Sequence, residues 1–179
     1  MAKATSSIGP ASSIGPVVSA AHLADGAIPA LSEVEFALTV LSNAFQRWMV
    51  RCMSASGVPG LAAIDVLVLH AANHRDREKT LADICMMFNV EDTHIVAYAL
   101  KKLEGLKLIS TGRRGKEKTV KVSKAGADAC RRYREVREGL LASSVKGLAF
   151  DEEDMSHVAA LMRALSGQYD QAARAAASL

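Results

Sequence analysis

From Leu31 onward the apolar residues of this chain recur mainly at spacings of three and four, the period of an α-helix. Leu31, Leu38, Phe45 and Cys52 repeat every seven residues, with Val34, Leu41 and Trp48 at the offset positions. This is an a/d seam over about three heptads. Ser32 with Glu35 reads as a capping box that opens the helix. Phe36, Val40, Met49 and Val50 carry its apolar surface beyond the seam, wider than packing on one core requires. Pro59-Gly60 punctuates the chain, and Leu61–Ala72 reads as a buried helix that ends before the charged stretch His74–Lys79. Thr80 with Asp83 caps the next helix, whose stripe is Leu81, Ile84, Cys85 and Phe88. Asn89-Val90-Glu91 breaks the pattern, and Asp92 or Thr93 caps a further helix with the stripe Val96, Ala99, Leu100 and Leu103, continued by Leu106. Ser123 caps a helix to about Val145, closed by Gly147. The acidic run Asp151–Asp154 then suits the positive end of a last helix. In that helix Met155, Met162, Tyr169 and Ala176 repeat at seven, with Val158, Leu165 and Ala172 between them, so a terminal seam mirrors the first one.

The period changes once. Leu108-Ile109 and Val120-Lys121-Val122 read as short strands around Gly112–Lys118, where glycines permit a turn and the charges cannot be core. Helix, tight turn, helix and basic hairpin in this order make a helix-turn-helix with a wing, spanning Thr80 to Gly126. Opposite the core stripe of its second helix lie His94, Ala97, Tyr98 and Lys101, with Thr93 beside them and Lys102 on the edge. No large aliphatic side chain is expected on that face, which suits a major groove, although an ordinary solvated face has the same composition. The hairpin carries Arg113, Arg114, Lys116 and Lys118, with Lys121 and Lys124 behind them, against Glu117 alone. Such a tip matches phosphates and the minor groove.

The formal net charge of +3 says little by itself. Its distribution says more, because the segment His74–Lys124 carries a clear cationic excess while the remainder of the chain is slightly acidic. Aromatic residues are 4% of the chain, which favours a helical protein packed on Leu, Val, Ala and Met. No run of about 18 apolar residues is present, so no transmembrane helix and no membrane partner are expected. The start Met1-Ala2-Lys3 lacks the apolar core of a secretory signal. Cys52, Cys85 and Cys130 form neither a metal motif nor an even disulfide set, and a cytoplasmic location fits.

The region Thr80–Gly126 resembles the winged-helix domain of MarR-family transcriptional regulators. The resemblance rests on Leu81-Ala82-Asp83-Ile84 in the first helix, Leu103-Glu104 followed by Leu108-Ile109 into the wing, and Val122-Ser123-Lys124-Ala125-Gly126 leaving it. Two features depart from the family pattern. Arg114 and Lys116 stand near the places of its usual Asp-x-Arg, and Leu106-Lys107-Leu108 replaces its Lys-Gly-Leu, with the glycine displaced to Gly105. The resemblance implies a mainly α fold: a winged helix-turn-helix DNA-binding domain with a two-stranded wing, flanked by N- and C-terminal dimerisation helices. It also allows a small-molecule effector, which no residue here specifies.

The expected organisation is a flexible segment over residues 1–30 and a single domain over 31–179. Within the latter, 60–123 form the DNA-binding lobe, and 31–56 and 124–179 the dimerisation helices. Residues 1–30 contain the repeat Ser6–Pro10 and Ser12–Pro16, rich in Ser, Gly and Pro. The expected function is sequence-specific binding of double-stranded DNA as a homodimer. DNA contacts would come from Thr93, His94, Ala97, Tyr98, Lys101, Lys102, Arg113, Arg114, Lys116 and Lys118. The dimer interface would come from Leu38, Phe45, Val158, Met162 and Leu165. The rival readings are a winged helix that binds protein and a metal- or redox-responsive sensor. His70 and His74 stand at i, i+4, a spacing that can chelate zinc, but no fourth ligand is evident and no metal site is assigned. No cofactor is expected, and neither a phosphate-binding glycine loop nor a nucleophile motif points to an enzyme.

Overall fold

The computed structural model describes residues 28–148 and 151–179, so the serine- and proline-rich repeat lies outside the described residues. The chain divides into two compact units between Arg51 and Cys52. The first unit is occupied by helix α1, Pro29–Ala55, whose last turn belongs to the second unit. Ser32 and Glu35 do not cap it: the helix starts three residues earlier, at Pro29. A proline there loses no hydrogen bond, because the first amides of a helix have no internal partner, and its fixed φ suits the helix. Along α1 Phe36, Leu38, Val40, Leu41 and Phe45 are all exposed.

The second unit runs through α2 (Ala63–Asn73), a short 3-10 turn (His74–Asp76), β1 (Lys79–Thr80), α3 (Leu81–Phe88) and α4 (Thr93–Gly105). The hairpin β2 (Ile109–Arg114) and β3 (Glu117–Val122) follows, then α5 (Lys124–Arg137). A π-helical turn (Glu138–Ala142) and α6 (Ser143–Val145) prolong α5, and α7 (Glu152–Ala176) ends the unit. The expected two-stranded wing is present as the hairpin β2–β3, and a further short strand extends it to a three-stranded antiparallel sheet in the order β1-β3-β2. Its added strand pairs Lys79 with Val120 and Thr80 with Thr119. The hairpin strands reach further than hydrophobicity indicated, from Ile109↔Val122 out to Arg114↔Glu117. Ladder hydrogen bonds hold the outer residues in place, so their solvated side chains need no apolar alternation. The turn is Gly115-Lys116, with Gly115 at φ 65, the sign that a two-residue hairpin loop asks of its first residue.

The core lies where the stripes converge. Val66, Val68, Leu69 and Ala72 of α2 are buried, as are Ile84 of α3, Val96, Ala99 and Leu103 of α4, and Ala129, Cys130 and Tyr133 of α5. An ion pair between buried Asp65 and half-buried Lys102 fixes the approach to α2. Asp65 accepts from the Ala62 amide at 2.8 Å and from Lys102 Nζ at 2.6 Å, and Lys102 also donates to the Gly60 carbonyl at 2.9 Å. By contrast α7 contains no buried residue. Its side chains at Met155, Val158, Leu161, Met162 and Tyr169 are exposed, and Leu165 is half-buried.

Candidate nucleic-acid interface

Helices α3 and α4 are set by their ends. Thr80 caps α3 reciprocally with Asp83: the Asp83 amide donates to Thr80 Oγ1 at 3.1 Å, and the Thr80 amide to Asp83 Oδ2 at 2.8 Å. These bonds hold the Asp83 carboxyl below its ordinary range, with a lesser contribution from Arg114 and Arg77. Asn89 closes α3 in the left-handed conformation at φ 53. The Val90 amide reaches the Cys85 carbonyl at 2.9 Å and the Asn89 amide that of Met86 at 3.3 Å, a Schellman closure. Of the two capping candidates for α4 it is Asp92 that acts, accepting from the His94 amide at 2.9 Å.

Helix α4 ends by the same device. The Leu108 amide donates to Leu103 at 3.0 Å and the Lys107 amide to Glu104 at 2.9 Å. The left-handed residue is Lys107, at φ 59, and not the displaced glycine. Ser123 then ties the wing back to this corner. Its hydroxyl donates to the Lys107 carbonyl at 2.7 Å and accepts from the Gly126 amide at 3.1 Å, which starts α5.

This frame turns Thr93, His94, Ala97, Tyr98 and Lys101 to solvent, with Tyr98 73% exposed. Lys102 does not join them, because it is engaged with Asp65 and Gly60 on the other flank of α4. Sequence periodicity places Lys102 on the edge of the face but cannot see a carboxylate 37 residues away. Periodicity also passes over Ile95, which is exposed on the flank of α4, as Met86 and Met87 are on α3.

The wing stands beside this face. Arg113, Arg114, Lys116 and Lys118 are all exposed. Arg114 meets Glu117 at 3.6 Å, and Lys118 meets Glu104 of α4 at 3.5 Å. Glu104 also accepts from the Thr111 hydroxyl. That bond first, and Lys118 second, hold its carboxyl below the ordinary range, so one ionised residue of α4 roots both wing strands. Arg113 and Lys116 have no carboxylate partner among the described residues. Between wing and helix lies an open cleft of about 390 Å³, bordered by Leu81, Ala97, Lys101, Glu104, Lys118 and Val120. Lys79, one of the cations of this segment, is buried and donates to the Arg77 carbonyl at 3.1 Å, so it adds nothing to the surface.

The candidate sensor residues lie elsewhere. His70 packs edge-on against Tyr133 with ring centres 4.6 Å apart, and burial pushes its pKa down. His74 is exposed. Among the described residues no group of three His, Cys, Asp or Glu could hold a metal ion. All three cysteines are buried and free. Burial pushes the Cys130 thiol up to about 11 and raises that of Cys52 as well, which keeps both in the unreactive protonated form.

Residues 61–126 match the family model described as a winged helix DNA-binding domain. No curated protein matches the sequence. Among solved structures, the transcriptional regulator BldR from Sulfolobus solfataricus superposes with a TM-score of 0.64 at 14% identity, over 77% of this chain and 98% of that one. A MarR family regulator from Neisseria meningitidis gives 0.63 at 15% identity, over 79% and 94%. Staphylococcus aureus MarR, in complex with salicylate and kanamycin, gives 0.60 at 14% identity, over 79% and 93%. The chain has the fold of the MarR-family transcriptional regulators. The residues matched by the family model take in the helix pair α3–α4 and the wing, with the long helices α1 and α7 before and after them in the chain. Among the described residues no helix is long and apolar enough to cross a membrane.

Proposed function

We propose that the chain is a transcriptional regulator that binds double-stranded DNA sequence-specifically as a homodimer. The observation that carries this reading is the pairing of two exposed elements. A helix face of Thr93, His94, Ala97, Tyr98 and Lys101 stands beside a wing bearing Arg113, Arg114, Lys116 and Lys118, within the segment that matches a winged helix DNA-binding domain. In this reading α4 enters the major groove, where Tyr98, His94 and Thr93 meet base edges, and the wing engages backbone or minor groove. Lys102 is left out, because withdrawing it from Asp65 would strand a buried carboxylate.

The dimer part of the proposal rests on exposed apolar surface. Leu38 and Phe45 of α1 are 44% and 49% exposed, and Val158 and Met162 of α7 are 50% and 40% exposed. A row of exposed apolar side chains along one helix marks an interaction site, and a heptad seam is self-complementary. A two-fold axis would set two reading helices about 34 Å apart, one duplex turn, giving palindromic specificity. The interface should exceed roughly 2,000 Å², as intertwined obligate dimers do. A small-molecule effector is compatible with the reading, since the staphylococcal relative is found in complex with two small molecules, salicylate and kanamycin. Selection of bound sequences from random duplex DNA tests the proposal. An enriched palindrome with half-sites about one turn apart is expected, and recovery of no preferred sequence would refute it.

A further inference from the structure

The two long-helix seams and the reading helix belong to different parts of the chain, so something must fix the angle between dimer and DNA lobe. One hydrogen bond in the structure has the right place for this. Asn89, the left-handed residue that closes α3 at φ 53, donates its side-chain amide to Asp170 of α7 at 2.9 Å. Asparagine serves two purposes here: it tolerates the left-handed region better than other side-chain-bearing residues, and it supplies a donor that glycine lacks. The backbone around it is held by the Schellman bonds to Cys85 and Met86, so the amide is presented from a fixed point one short turn before α4. On α7, at about 100° per residue, Asp170 lies roughly a third of a turn from the seam of Val158, Met162, Leu165 and Tyr169. The bond therefore engages the flank of α7 and leaves the apolar seam open. It matters because α7 has no fully buried side chain and only Ala159, Leu165 and Asp170 itself are half-buried, so little packing orients the helix.

We infer that the Asn89–Asp170 hydrogen bond orients the helix-turn-helix relative to the C-terminal dimer helix, which makes Asn89 and Asp170 positioning residues for the spacing of operator half-sites. The inference rests on the proposed function, since it takes α7 as part of the dimer and α4 as the reading helix. Neither residue touches DNA in this scheme. Their effect is geometric: with the bond in place the two reading helices are held at one separation, and without it they sample several.

The test uses the full chain and duplexes carrying the palindrome that wild type selects from random DNA, with the half-sites moved apart or together in single base-pair steps. Asn89→Gly removes the amide while preserving the left-handed backbone, and Asp170→Ala removes the acceptor without touching α3. Wild type should bind one spacing best. Each variant should lose about threefold to tenfold at that spacing, the range of one hydrogen bond. Neighbouring spacings should lose less, so that the profile flattens. Sedimentation as a dimer and affinity for an isolated half-site should not change, and the double variant should be no worse than either single one. A profile that keeps its wild-type sharpness in either variant, or losses that simply add in the double variant, would overturn the inference while leaving the proposed function intact. A wild type that sediments as a monomer or recovers no duplex would instead overturn the proposed function, and this inference with it.

Discussion

At Gly126 a single hydrogen stands where no methyl group fits. A Cβ built there would lie 2.0 Å from the Leu108 carbonyl oxygen and 2.9 Å from Val122 Cγ2. Gly126→Ala should therefore destabilise the protein by roughly 3 kcal/mol, read as a lower denaturation midpoint, because the obstacle is backbone and cannot swing aside. The sequence displays this glycine in the motif that leaves the wing, but the reason for it is a close approach that only the fold creates. Lys107 shows the complementary case. The displaced glycine draws attention to residue 105, yet the corner needs its left-handed residue at 107, and a lysine accepts that conformation there. Two residues of α4 separate structure from readout. Lys102→Ala should cost about 2 kcal/mol of stability by leaving Asp65 buried and unpaired, with the salt dependence of DNA binding unchanged. Tyr98→Ala should do the reverse: little change in melting temperature, because the side chain is 73% exposed, and a shift in preference among selected sites. A large stability loss for Tyr98→Ala with unaltered site preference would remove it from the reading face.

Among the elements, α4 was legible because it buries one stripe: Val96, Ala99, Leu100 and Leu103 are all buried, as their spacing implies, whereas α1 and α7 were legible from heptad spacing although their seams are largely exposed. The caps at Thr80 and Ser123 were legible for a local reason, since each side chain satisfies an amide three residues on, and Asp92 was legible as one of two candidates; at Asp151 the sequence shows only an acid run suited to the helix dipole, and the structure makes it a cap for the Asp154 amide. Strand β1 was not legible, because two residues carry no periodicity and one of them is a buried lysine. The orientation of His70 was equally hidden, since spacing fixes its side of α2 but not the Tyr133 ring that meets it from α5. That ring packing predicts a pH dependence. Burial sets the folded-state pKa of His70 below its ordinary value of 6.5, so the folded protein disfavours protonation. Its stability is thus fully present above about pH 6.5 and falls as the pH drops below that, while the unfolded chain takes up the proton first. Denaturant titrations from above this range to about one pH unit below it should show this loss, and His70→Gln should reduce it. An equal loss in the variant would place the effect on another group.

For the whole molecule, α7 is a 25-residue helix with no buried residue and a row of exposed apolar side chains. Left bare in water, such a row would be an aggregation liability; placed against a second copy it becomes a core. Leu165→Asp or Met162→Asp should put an unpaired charge into that seam and yield monomers with weak operator binding. Sedimentation of wild type at micromolar concentration should give a dimer, and a monomer there would return the heptads to some other use.

If the α4 face and the wing together bind duplex DNA, the salt dependence of that binding is the most direct measure of it. Affinity for the selected duplex, measured from low to physiological salt, should fall linearly in log–log form, with a slope of about 0.9 per phosphate neutralised. Arg113→Ala with Arg114→Ala should make the slope shallower by roughly 0.9 for each phosphate that is no longer neutralised, and should weaken binding to all sequences about equally. A double variant that binds with the wild-type slope and affinity at every salt concentration would contradict this assignment of the wing.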